Sequence, residues 1–130
     1  MAYYISAKLR VPFEEAVART REALQQEGFG VITEIDVTHT LKEKIGVDFR
    51  PYLILGACSP ALAHEALKLE DKVGIMLPCN VVVQAGDDGV VEVAAVDPVA
   101  SMQAIDNPEL AQKAAQVRDK LSAVIAALEA

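Results

Sequence analysis

Four large apolar residues in a row, Tyr52, Leu53, Ile54 and Leu55, begin the stretch that most limits what this chain can fold into. Gly56, Ala57, Cys58, Ser59 and Pro60 follow directly. A half-exposed strand alternates apolar with polar residues, whereas a strand covered on both faces reads as a continuous apolar run. The run therefore predicts a central strand with both faces covered. Ser59 is placed to cap a following helix through its side-chain oxygen, and Pro60 suits the first helical position, where its missing N–H would have no partner anyway. Cys58 then falls between a strand end and a helix N-terminus.

Periodicity divides the rest of the chain. Tyr4, Ser6, Lys8 and Arg10 alternate with Ile5, Ala7, Leu9 and Val11 in a first strand that Pro12 ends. Phe13, Ala16, Val17, Thr20, Ala23 and Leu24 recur at helical spacing, Glu14 and Glu15 occupy the first turn, and Gly28 closes that helix. Residues Phe29 to Val37 alternate again, which predicts a second strand with Phe29, Val31, Thr33, Ile35 and Val37 on one side. Thr40 and Glu43 fit a capping box that starts a short helix, with Leu41 and Ile45 as its inward pair and Gly46 as its stop. A helix is expected from Pro60 to about Leu69, with Leu62, Ala63, Ala66 and Leu67 as its packing stripe. Gly86-Asp87-Asp88-Gly89 joins two strands, Val81 to Ala85 and Val90 to Val96, into a hairpin. Asp97-Pro98 opens a short helix expected to contain Met102 and Ile105, and Asn107-Pro108-Glu109 opens the last one. Along that last helix Leu110, Ala114, Val117, Leu121, Val124 and Leu128 form a seam read as core packing, with a subunit interface as the other use.

This order of elements implies an α+β fold, a two-layer sandwich of β-sheet with helices packed on it, formed as one domain over residues 1–130. Helix-connected strands suggest parallel pairing in the first part and the hairpin gives an antiparallel pair later, so the sheet is expected to be mixed.

A net charge of −7 makes contact with phosphate backbones or anionic membranes repulsive, which argues against a nucleic-acid partner. No apolar run approaches the ~20 residues of a membrane span, and the first residues lack an export signal, so no membrane partner and a cytoplasmic location are expected. Two cysteines in such a chain read as thiols rather than a structural disulfide.

Those cysteines carry the candidate chemistry. Helix N-terminal N–H groups can stabilise a thiolate at Cys58, while the alternative is a small, buried, inert residue. Cys79 follows Pro78 at a loop-to-strand junction, beside the amide of Asn80. If their strands are neighbours, the two sulfurs form a dithiol site or a soft pair, to which Met102 could add a thioether suited to reduced copper; Met102 is otherwise a core filler. His39 and His64 read as surface residues without a ligand partner. Asp48 and Arg50 flank Phe49 and are read as a local ion pair or turn contact, or as a polar rim over a pocket or dimer contact.

Residues 49–60, then Leu77-Pro78-Cys79-Asn80-Val81-Val82-Val83, then Val96-Asp97-Pro98, resemble as a set the domain of unknown function family DUF302 over nearly the whole chain. Asparagine often stands in that family where this chain has Ser59. The resemblance implies a compact α+β fold, typically a homodimer, with no established activity and no known cofactor. The leading expectation is a small cytoplasmic homodimeric module that binds a small ligand or senses redox state near Cys58 and Cys79, with Ser59, Asn80, Arg50 and Met102 as further candidates. One alternative is a thiol enzyme with Cys58 as nucleophile, Cys79 as resolving thiol and the helix start at Pro60 to Ala61 holding anionic oxygen. The other is an interaction scaffold whose cysteines only pack.

Overall fold

The computed structural model describes residues 2–129. Its elements are β1 (Tyr4–Leu9), α1 (Phe13–Gln26), β2 (Gly30–Asp36), α2 (Val37–Ile45), β3 (Tyr52–Cys58), α3 (Pro60–Leu69), β4 (Cys79–Ala85), β5 (Val91–Val96), α4 (Pro98–Ser101) and α5 (Pro108–Glu129), with a 3-10 turn at Val73–Met76. The five strands form one open sheet in the order β1-β5-β4-β3-β2, and the fold is α+β with helices packed on that sheet.

Every neighbouring pair of strands is antiparallel, so the expected parallel pairing and mixed sheet are not found. The register explains why. Asp36 at the end of β2 pairs with Leu53 at the start of β3, so α2 lies within a hairpin connection at one end of the sheet. Ala57 near the end of β3 pairs with Cys79 at the start of β4, so α3 and the 3-10 turn occupy a second such connection at the other end. Neither helix carries the chain back along the sheet, which a parallel crossover would require. β2 to β5 are thus a meander with helices inserted into two of its turns, and β1 joins its far edge.

Alternation along the strands sends one set of side chains to the core. Ala7, Leu9, Leu53, Leu55, Ala57, Val81, Val83, Val91, Val93 and Ala95 are buried with Ala16 and Leu24 of α1 and Leu121, Val124 and Leu128 of α5. The seam of α5 is accordingly core packing. The opposite set, which includes Tyr52 and Ile54 of β3, is only half-buried and lies outside this cluster. The continuous apolar run in β3 therefore does not mean two covered faces.

Local differences have physical causes. A bulge between Val31 and Thr33 shifts the register of β2, placing Val31 opposite Ala57 but Ile35 opposite Ile54. A one-residue shift exchanges faces, so Phe29 is buried in the core while Ile35 is 50% exposed on the far side. Helix α2 is capped four residues before the expected Thr40, by Asp36, whose Oδ1 accepts from the His39 N–H at 3.0 Å, so the helix starts at Val37. Ile45 is exposed and α2 has no buried residue, so Leu41 and Ile45 are not an inward pair; α2 closes a sheet end instead. Gly46 ends it with φ 69°, and Gly28 follows α1 with φ 85°, both as expected. Helix α4 ends at Ser101, leaving Met102 as its C-cap and Ile105 beyond it.

Candidate functional site

The end of the sheet where β3 leaves and β4 enters is roofed by two helices. Helix α3 descends from β3, and α5 crosses beside it with Leu110 and Ala114 in a second buried cluster that includes Ala66, Val73 and Met102. The two clusters do not close completely against each other. A cavity of about 290 Å³ remains between them, walled by Cys58 and Cys79 from the strands, Leu62 and Ala63 from α3, and Ala114 and Val117 from α5. Its surface is almost wholly apolar, and among the described residues Lys113 is the one charged residue that lines it.

Four of the six candidate residues read from the sequence meet here: Cys58, Ser59, Cys79 and Met102. Ser59 holds the N-cap position of α3 and Pro60 its first turn, but the Ser59 side chain makes no capping hydrogen bond, contrary to the expectation. The other two candidates lie elsewhere. Asn80 is exposed and lines a separate groove with Tyr3, Tyr4 and Tyr52, because it is one residue on from Cys79 and so projects from the opposite face. Arg50 lies at another cleft with Lys8 and Glu92. There its Nε donates to Gln84 Oε1 at 3.0 Å and its guanidinium stacks 4.4 Å from the Phe49 ring centroid. Asp48 accepts instead from Lys42 Nζ at 2.9 Å, so Asp48 and Arg50 are not an ion pair.

Both cysteines are free, Cys58 half-buried and Cys79 buried. Removal from water disfavours a thiolate, and the nearby Cys58 adds to the effect, so the Cys79 thiol is pushed up from 9.0 to about 11. Cys79 is thus a neutral thiol at physiological pH. Cys79 pairs across the ladder with Ala57 rather than with Cys58. His39, 3.3 Å from Glu43, and His64 on the outside of α3 do not line the cavity. The residues with affinity for a soft cation are the sulfurs of Cys58, Cys79 and Met102; among the described residues no group of three or more His, Cys, Asp and Glu gathers as a metal site.

The sequence reading missed the mouth of this cavity. Lys113 Nζ on α5 reaches Glu65 Oε2 on α3 at 2.6 Å, spanning the two helices. That hydrogen bond, and then the charge of Lys113, hold the Glu65 carboxyl below the usual carboxylate range. The two residues are 48 positions apart on polar helix faces, and no local pattern couples them.

Strand order, helical roof and sequence agree with one family. The family described as "Domain of unknown function DUF302" matches residues 5–128, and the chain belongs to it. It is similar to a solved structure described as "Crystal structure of uncharacterized conserved protein DUF302 from Bacillus stearothermophilus", at 31% identity and TM-score 0.91, covering 98% of this chain and 99% of that one. None of the curated proteins matches this chain. Among the described residues no helix is long and apolar enough to cross a membrane.

Proposed function

We propose that this protein is a cytoplasmic, homodimeric module that binds a small apolar ligand in the cavity beside Cys58 and Cys79. The observation that carries this reading is the cavity itself. A concave, almost wholly apolar space with few polar groups at its wall has the chemistry of a small-molecule site. A cavity of about 150 Å³ accommodates benzene, so about 290 Å³ suits a ligand on the order of ten heavy atoms.

Redox sensing and thiol catalysis receive less support from the same geometry. A resolving cysteine acts as a thiolate, and Cys79 is held protonated at neutral pH. Cys58 and Cys79 are both free thiols, and Cys79 pairs in the ladder with Ala57 rather than with Cys58.

The homodimer is supported by the sheet face that no core cluster covers. Ser6, Ala94, Val82, Ile54 and Ile35 follow one another across all five strands in a row without charge. A second copy laid face to face would bury this row. Light scattering should give twice the monomer mass for the wild type and the monomer mass for Val82→Lys; a monomeric wild type would remove the dimer from the proposal.

Ligand binding is tested by titrating straight-chain alcohols while following backbone amide resonances. Each buried methylene adds about 0.8 kcal/mol, so affinity should rise about fourfold per carbon from butanol until the cavity is full. The shifts should saturate and centre on Cys58, Leu62 and Val117, and Ala63→Leu, which fills the cavity from α3, should abolish them. Non-saturating shifts, or shifts indifferent to Ala63→Leu, would sink the proposal.

A further inference from the structure

Resting on the reading of the cavity as an apolar-ligand site, we infer that its ligand is an aliphatic chain ended by a carboxylate, with the head group held by Lys113 at the mouth. The wall of the cavity offers almost nothing polar, so a chain buried there makes only apolar contacts. Among the described residues the single charge on that wall is a cation on α5. Lys113 is 30% exposed, so its stem lies against the roof while its ammonium remains at the rim.

That ammonium is satisfied by Glu65, a carboxylate supplied from the opposite helix. Glu65 therefore marks the place where an anionic oxygen sits when it meets Lys113. A ligand carboxylate emerging from the cavity would take the same position and replace Glu65 as partner. Lys68 on α3 also favours negative charge at Glu65, on a chain whose net charge is −7. Glu109, one helical turn before Lys113, does not line the cavity. One cation matches one negative charge, which points to a monocarboxylate rather than a phosphate ester. The cavity volume corresponds to a chain of roughly eight carbons.

The experiment compares octanoate, 1-octanol and octylamine by calorimetry or amide shifts at neutral pH, with wild type, Lys113→Met and Glu65→Gln. In the wild type octanoate should bind up to about fivefold tighter than octanol, the most that a partly exposed ion pair contributes, and octylamine should bind weakest. Lys113→Met retains an apolar stem and should abolish the preference for octanoate while leaving octanol unchanged, which also reports that the cavity is intact. Glu65→Gln removes the internal competitor and should tighten octanoate without altering octanol, an effect that a merely structural bridge would not produce. Octanol binding equal to or tighter than octanoate, or a preference that survives Lys113→Met, overturns the head-group assignment and leaves the apolar site standing. Absence of binding by all three overturns both.

Discussion

Raising the pH from about 8 to about 10 should cost the wild-type protein stability that a Cys79→Ala variant does not lose. The group concerned is a buried acid whose folded-state pKa lies above its ordinary value, about 11 against 9.0, chiefly because burial removes the thiolate from water. At pH values between these two the unfolded chain has released the proton and the folded chain has kept it. The folded state binds more protons there, so stability falls as pH rises. The contribution is fully present below about pH 9 and is lost progressively towards pH 11. Two pKa units correspond to about 2.7 kcal/mol at the limit, and linkage between these values removes about 1.3 kcal/mol between pH 8 and pH 10. Urea unfolding of wild type and Cys79→Ala at both pH values measures it. Replacement by alanine subtracts a constant packing contribution, so only the difference of differences is read. A wild type that loses about 1.3 kcal/mol more than the variant supports the argument. Parallel losses would show that the Cys79 thiol is not desolvated, and the protonated Cys79 used against a resolving role would fall as well.

Three further outcomes follow from packing and capping. Gly56→Ala should destabilise by about 1–3 kcal/mol in urea unfolding, since a Cβ there would strike the Thr33 side chain and come within 2.7 Å of Pro78 Cγ. Leu121→Ala, at a fully buried position of α5 beneath the sheet, should lower stability by about 2–5 kcal/mol through lost transfer energy and a residual cavity, read in the same assay. Asp36→Ala removes the oxygen that caps α2 and should cost about 1 kcal/mol, whereas Thr40→Ala, inside that helix, should be nearly silent in thermal unfolding.

Most elements were legible because their signals are local. The spacing of Phe13, Ala16, Thr20 and Leu24, the αL glycines Gly28 and Gly46, and the Gly86–Gly89 turn act within a few residues, and each appears where its pattern places it. The start of α2 was misplaced because two capping signals compete there, and Asp36, already at the strand end, takes precedence over Thr40. The face of β2 was misread for a different reason. A bulge at Ile32 exchanges the inward and outward sets after Val31, and nothing in the alternation of Phe29 to Val37 reveals it.

What the sequence by itself determined is the family, the α+β class and the place of Cys58 and Ser59 where a strand runs straight into a helix, because these rest on contiguous motifs, whereas the meeting of Cys58 with Cys79 and Met102 depends on strand pairing and helix packing. Tertiary structure alone decided the rest. Strand direction depends on whether a connecting helix lies along the sheet or closes its end, and α2 and α3 close ends. Asn80 and Arg50 lie apart from the thiols because a sheet has two faces and register assigns them to other clefts. The cavity, and the Lys113–Glu65 pair at its mouth, exist only because α3 and α5 approach each other across an incompletely filled gap. That separation is a property of the packed chain and is encoded in no single segment of it.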